Sequence, residues 1–490
     1  MGKLIIFNVL FVYLCLSATA FPGNSNQDKP RLLVLTDIGG DPDDIQSLIR
    51  LLVYANEFRI KGIIATATWG SESRHYGKYY IFENLIHDVI EDYKHIRDNL
   101  LLHAVGYPTA DELHSVVRGG QANRGADKLS PGLSTTGSQH IIHVVDASDE
   151  PLYVLIWGGA HDLAQTLTDV RSTRTSGEVE KFISKVRVYA INDQDKKFHQ
   201  EGKGTGEWIK ENFPSLRYVE SGPPWMSIFS AVYRGMYQND SREGDHSELP
   251  LVEPGVEQLN NIEWLEANVF SWGALGEGYP SSITQNPNTP RNTKGVKEGD
   301  APSWFFVLPN GLNDPEHPEW GGWGGRFEHH NGGHYTDAQD DHWSGEIDAA
   351  LRRKWTVARW REAYQNDFAG RMRWCKLSYN EANHNPVAVI EGDSTRAVLY
   401  RTVQSGKNIY IDAGSSYDPD ENQLNFNWWI YHEASSTSAI VRNNHDGVAR
   451  IETYETSHNG DIHVILEVTD DGTPQLYTYR RIILKVLPKE

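Results

Sequence analysis

Sulfur is almost missing from this chain: two cysteines and four methionines in 490 residues. Cys15 falls in an apolar N-terminal stretch that reads as a removable leader, which leaves Cys375 alone. A single thiol excludes an intramolecular disulfide framework, so the fold must stand on its core, and Cys375 is expected to be buried and inert. Long apolar runs are also lacking after the leader, where nothing approaches the roughly 20 apolar residues of a membrane-spanning helix. Positive charge is scarce as well: 46 Lys and Arg stand against 66 Asp and Glu, a formal net charge of −20. That balance argues against nucleic acid and anionic membrane as partners.

What the chain does have is length for two domains and 15 tryptophans to help fill their cores. The leader itself is well marked. Lys3 supplies its charge, Leu4 to Leu16 its apolar stretch, and Ala18-Thr19-Ala20 a small-residue cleavage pattern. Residues 1–20 are therefore expected to be a signal peptide and the mature protein to be secreted, acting outside the cell. Asn239-Asp240-Ser241 is a glycosylation sequon.

The first half alternates strand-like and helix-like runs. Strands are expected at Leu32–Leu35, Ile60–Thr66, Leu152–Trp157 and Val186–Ile191. Helices are expected from Asp43, over Tyr80–Tyr93, and from His161. That alternation implies an α/β domain with a mostly parallel sheet covered on both faces. Residues 270 to 345, rich in Gly, Pro, Asn and Trp, read as long ordered loops. Ser344 to Arg373 reads as one long helix, with Leu351/Trp355 and Trp360/Tyr364/Phe368 as an apolar stripe. Near Asn380–Pro386 the period changes to two. Val387–Ile390, Asn408–Asp412, Asn425–Tyr431, His463–Val468 and Tyr479–Leu487 then read as strands of an all-β, immunoglobulin-like sandwich. The expected division is 28–378 for the α/β domain and 385–490 for the sandwich.

One segment dominates the chemistry. The apolar run Leu32–Leu35 stops at a turn carrying Asp37, Asp41, Asp43 and Asp44, with Gly39, Gly40 and Pro42 among them. In parallel sheets, ligands sit at the carboxyl ends of the strands. Four carboxylates there repel one another, and a cation lowers the cost. An all-oxygen set with no cysteine nearby suits a hard ion such as calcium rather than zinc. The plainer reading is ordinary helix capping by Asp41 or Asp43.

The run Thr36-Asp37-Ile38-Gly39-Gly40-Asp41-Pro42-Asp43-Asp44 resembles the D-x-D-P-G-x-D-D signature of calcium-dependent nucleoside hydrolases. Leu35 stands where that family has its first aspartate, and the turn is two residues longer. The resemblance implies Asp37 as catalytic base and as a calcium ligand, with Asp43 and Asp44 as further ligands. Glu298-Gly299-Asp300-Ala301-Pro302 resembles a distal turn that supplies the last metal carboxylate, here Asp300. Trp157-Gly158-Gly159-Ala160-His161-Asp162 resembles a strand end whose ligand is a backbone carbonyl, here that of His161. Ile191-Asn192-Asp193-Gln194-Asp195 resembles the sugar-binding turn, which makes Asn192, Asp193 and Asp195 substrate-binding candidates. Gly62 to Trp69 stands where the family has a strand ending in a substrate-contacting Asn. That Asn is absent, and Trp69 is the candidate contact.

A secreted, cellulose-binding branch of the superfamily is the closer resemblance, carried by Pro309 to Gly321 and Gln365 to Ala369. The C-terminal part resembles polycystic-kidney-disease-type and cadherin-like modules, carried by Asn385-Pro386 and Asp412 to Asp420. These likenesses imply a sugar or nucleoside as ligand, and calcium as cofactor. Three activities remain open: hydrolysis of N-glycosidic bonds in ribonucleosides or related glycosides, carbohydrate binding without catalysis, and hydrolysis of a polysaccharide. His329, His330 and His334 fit no standard metal spacing. Trp320 and Trp323, and one of Trp428-Trp429, are open either to stacking on sugars or to packing.

Overall fold

The computed structural model describes residues 29–489, leaving out 41, 68–79, 123–124, 195–202, 224, 227–229, 238–256, 282–293, 342–344 and 346. The leader, the sequon, Asp41, Trp69 and Asp195 therefore lie outside the described residues.

The N-terminal strands are β1 (Arg31–Thr36), β2 (Arg59–Ala65), β3 (Val117–Gly119), β4 (Leu152–Ile156), β5 (Val186–Ile191), β6 (Arg217–Ser221), β7 (Phe327–Asn331) and β8 (His334–Asp337). They form one sheet in the order β3-β2-β1-β4-β5-β6-β8-β7. Its pairs are parallel except β7 with β8. All of β1 is buried. Leu32 and Val34 join the core on one face, Leu33 and Leu35 the core on the other. A strand covered on both faces needs an unbroken apolar run. Each such side chain contributes about 1.5–3 kcal/mol through burial.

The first face is covered by α1 (Asp43–Val53) and α2 (Glu83–His103). The short α3 (Ala110–His114) leads into β3. The second face is covered by α4 (Thr136–Asp146), α5 (His161–Thr173), α6 (Ser176–Ile183) and α7 (Thr205–Asn212). Back on the first face follow α8 (Ile262–Asn268), α9 (Ala274–Glu277), α10 (Ala301–Phe305), α11 (Ala349–Ala358) and α12 (Arg361–Trp374). Cys375 is buried within this core.

Two expectations change here. Residues 270 to 345 are not all loop, because they supply α9, α10 and the β7–β8 hairpin at the sheet edge. The long helix is two helices, parted at Arg359–Trp360. Neither Pro nor Gly breaks it. Arg359 reaches Asp340 at 2.9 Å, while the Trp360 ring packs against Trp429, Tyr431 and Tyr479. These tertiary contacts outweigh the preference for one straight helix.

The C-terminal part is all β. Its strands are β9 (Leu399–Gln404), β10 (Asn408–Asp412), β11 (Asn425–Ile430), β12 (Ala439–Arg442), β13 (Val448–Thr453), β14 (Gly460–Thr469) and β15 (Tyr477–Leu487). Two sheets, β10-β13-β12 and β11-β14-β15-β9, enclose a separate core. Val387–Ile390 makes only isolated bridges, to Tyr417 and Asp393, and is not a strand.

The four-stranded sheet turns its other face to the α/β part. Ile465 and Tyr479 belong to that part's core cluster, and Trp429 packs against it. Trp428 is in the sandwich core, while Trp429 packs at the seam, so neither is an exposed sugar platform. Asp340, fully buried, accepts from Arg326 (2.6 Å), Arg359 (2.9 Å) and the Tyr431 hydroxyl (2.6 Å). Burial would raise its pKa, but the Arg359 and Arg326 charges outweigh that and hold it below the ordinary aspartate range. Arg481, also buried, donates to Leu312 O, Gly321 O and His463 Nδ1, each at 2.8 Å. Burial and then the Arg481 charge push His463 down to about 2, which keeps its ring neutral and able to accept.

Candidate metal centre at the strand ends

The strand order reverses direction between β1 and β4, since β2 lies on one side of β1 and β4 to β6 on the other. That is the topological switch point, where two strand ends diverge and leave a crevice. Asp37 follows β1 directly, and Gly158 lies just beyond β4. A Cβ on Gly158 would stand 2.7 Å from the Asp37 side chain, so only glycine permits this approach. Gly39, at φ +95°, turns the chain towards α1.

The helix α1 starts with Asp43 and Asp44 in its first turn, where N–H groups and the helix dipole favour negative charge. Asp300 stands at the start of α10. One carboxylate oxygen from each of Asp43, Asp44 and Asp300 lies within 4.8 Å of the others. Asp44 and Asp300 are buried and Asp43 is half-buried. Thr36 Oγ1 donates to Asp44, so the strand end also orients its carboxylate. Three ionised carboxylates this close repel by at least about 3 kcal/mol per pair at an effective dielectric near 20. Hard oxygen donors converging from two segments fit a calcium-like cation.

Asp37 is nearly buried and lies outside that trio. His161, 1% exposed, opens α5 with its Nε2 at 3.7 Å from Asp162. Asn192, at φ 60°, turns its amide to the Tyr233 hydroxyl (2.9 Å). With the amide flipped, its nitrogen donates to Ser221 O (3.2 Å) and Gly222 O, and its oxygen accepts from the Tyr233 hydroxyl (2.9 Å). Asp193 accepts from Gly206 N (2.9 Å) and Glu207 N (2.8 Å) and so caps α7. The structure thus brings Asp43, Asp44 and Asp300 together, sets Asp37 beside Gly158, and engages Asn192 and Asp193 with neighbouring backbone and Tyr233.

Several residues around the site were not anticipated. Asp162, fully buried, accepts from Gln121 N (2.9 Å) and Thr135 Oγ1 (2.7 Å), tying the end of β3 and the start of α4 to α5. Trp157 Nε1 donates to Ser303 Oγ (2.8 Å), whose hydroxyl bonds Asp300 O (2.6 Å). Asp337, at the end of β8, accepts from Gly222 N (3.0 Å) and Val232 N (3.1 Å). Burial nevertheless pushes its carboxyl up to about 7. Trp157 and Asp162 fall in a run that the sequence marks, but their partners Gln121, Thr135 and Ser303 are remote along the chain. Trp323 is buried against Phe305, Tyr364 and Tyr479, and Trp320 stacks on His317 (ring centroids 3.9 Å apart), so packing accounts for both.

Residues 31–327 match the family described as cellulose-binding Sde182, nucleoside hydrolase-like domain. Residues 408–486 match the C-terminal domain of cellulose-binding protein Sde0182. A nucleoside hydrolase-related hypothetical protein from Saccharophagus degradans, associated with carbohydrate metabolism, is 31% identical. That match has a TM-score of 0.73 and covers 94% of this chain and 100% of the other. A plant nucleoside hydrolase (12% identical, 67% of this chain and 99% of the other, TM-score 0.30) is too distant to carry an argument. So is an inosine-uridine preferring nucleoside hydrolase from Bacillus anthracis (13%, 51% and 75%, TM-score 0.27). No curated protein matches. With well over half of its length under one family model and a relative of the same architecture end to end, the chain belongs to the cellulose-binding Sde182, nucleoside hydrolase-like family.

Proposed function

We propose that this protein is a secreted hydrolase of N-glycosidic bonds, acting on ribonucleosides or related glycosides, with a calcium-dependent site at the β1/β4 switch point. The observation that carries the reading is the convergence of Asp43, Asp44 and Asp300 within 4.8 Å at that crevice. Those three carboxylates would hold the ion, with Asp37 and the His161 carbonyl as further donors. Bound calcium supplies positive charge that acidifies a water and offsets the carboxylates. Asp37, enclosed by Gly158, would take the proton from the attacking water. The remaining carboxylate charge favours a sugar ring that becomes positive as the bond to its leaving group breaks. Asn192, Asp193 and Asp195, with Trp69, would face the sugar. The leader at 1–20 and the division into 28–378 and 385–490 belong to the same proposal.

A second reading, carbohydrate binding without turnover, has its own support. Asp193 uses both carboxylate oxygens to cap α7, and Asn192 is turned to Tyr233. Ala67, rather than an Asn, follows Thr66 beyond β2. The family's cellulose-binding description points the same way.

The deciding experiment incubates purified protein with a nucleoside panel and with soluble oligosaccharides, with and without a calcium chelator, beside Asp37→Asn. Calcium-dependent release of base, lost in Asp37→Asn, supports hydrolysis. No turnover on any substrate, together with retention on insoluble glucan, rejects it in favour of binding.

A further inference from the structure

Helix α1 is buried on its polar side as well as its apolar one. Asp43, Gln46, Ser47 and Arg50 recur at three- and four-residue spacing and so share a face. Gln46, Ser47 and Arg50 are fully buried. That face meets residues 295–300, which end in Asp300. Gln46 Nε2 donates to Pro280 O (2.8 Å) and Gly295 O (3.1 Å), and its Oε1 accepts from Lys297 N (2.7 Å). One turn on, Arg50 grips Glu298 with Nε and Nη2, the second bond being 3.0 Å. The Tyr279 hydroxyl donates to the same carboxylate at 2.5 Å. Arg50 is fixed in turn by Tyr364 O (3.2 Å) and Gln365 Oε1 (2.6 Å), and its guanidinium lies 3.8 Å from the Phe368 ring centroid.

Asp43 and Asp44 ride on the helix, while Asp300 ends a segment far away in sequence. Their mutual repulsion favours retreat of the segment. We propose that Gln46 and Arg50 are positioning residues of the metal centre: by fastening residues 295–298 to α1 they set the separation of Asp300 from the Asp43/Asp44 pair. The clamp holds the ligands in place before the ion arrives, which lowers the cost of binding it. This inference rests on the calcium reading above.

Calcium titration calorimetry on the full chain tests it, alongside urea unfolding in chelator. Removing one charge of the buried pair alone risks unfolding, so the variants are Arg50→Met/Glu298→Met, an apolar replacement of the whole pair, and Gln46→Met. The expected result is a calcium Kd raised tenfold or more, about 1.4 kcal/mol, in the double variant, and about threefold in Gln46→Met. Both variants leave buried partners of Gln46, Arg50 or Glu298 unpaired, so the calcium-free urea midpoint should fall as well, and the Kd is the deciding readout. A purely structural role would shift that midpoint and leave the Kd alone. Calcium binding within twofold in both folded variants overturns the inference while leaving the metal reading intact. Absence of calcium binding by the unmutated chain overturns both. If the double variant does not fold, Gln46→Met decides: weaker binding supports the clamp, and an unchanged Kd rejects it.

Discussion

Buried carboxylates at two places in this protein keep different company. At the seam between the α/β part and the sandwich, Asp340 is met by Arg326, Arg359 and the Tyr431 hydroxyl, so its charge is answered from within the chain. At the strand ends, Asp43, Asp44 and Asp300 converge on one another. The seam is complete as folded and joins the two parts. The strand-end cluster sets three carboxylates within 4.8 Å of one another, which is the feature the calcium proposal rests on. A buried acid therefore indicates function by the company it keeps rather than by its depth.

The largest effect should come from Asp340→Asn. It leaves two arginines without their carboxylate and should lower stability by about 3–4 kcal/mol, read as a fall in the urea midpoint. The pH sign follows from the depressed carboxyl. Its contribution is present above the unfolded aspartate value near 4 and disappears as pH falls through the lower folded value. The strand-end cluster should behave in the opposite sense. Calcium at about a hundredfold over its Kd should stabilise the unmutated chain by about 2.7 kcal/mol. Asp44→Asn should abolish that gain while raising stability in chelator, as thermal melts with and without calcium will report.

Asp337 offers a third case, a buried acid held by the Gly222 and Val232 N–H groups and the Ser221 hydroxyl, with the Arg353 charge acting on it as well. Its folded pKa, raised to about 7, lies above the unfolded value. The folded state then holds the proton longer, so stability falls as pH rises from about 4 to about 7. Between pH 5.0 and 6.5 the fall should be about 2 kcal/mol, and Asp337→Asn should flatten it in urea titrations across that range. The smallest change, Tyr431→Phe, removes one hydrogen bond to Asp340 and should cost about 1.5 kcal/mol, with calcium binding unaltered. If it weakens calcium binding instead, seam and site are coupled.

Legibility followed distance along the chain. Leu32–Leu35, the turn after it and the start of α1 are contiguous, so apolar run, glycines and aspartates could be read together. The polar stripe on α1 was visible as residue types, but what covers it was not. Its partners Glu298 and Gln365 sit some 250 to 315 positions away, and nothing local reveals that they cover it. The break at Arg359–Trp360 was hidden for the same reason, since Asp340, Trp429 and Tyr431 cause it from outside the helix. The short strands β3, β6, β7 and β8 lack a strong pattern of their own, and β9, β12 and β13 gain their identity from pairing. Trp429 and Trp323 were open to sugar stacking from sequence, and packing at the seam claims both.

By itself the sequence determined an α/β part followed by a β part, the buried strand β1, and the acidic turn at its end, because hydrophobic period and turn chemistry are local properties of the chain. The resemblance grouped Asp300 with Asp43 and Asp44, but only the tertiary structure decided what holds them together and which other acids are engaged elsewhere. Asp300 joins Asp43 and Asp44 through the hold of Gln46 and Arg50 on its segment. Asp340 and Asp193 are engaged elsewhere by arginines and by a helix start. The field at a carboxylate depends on charges within a few ångströms, and chain order does not specify those.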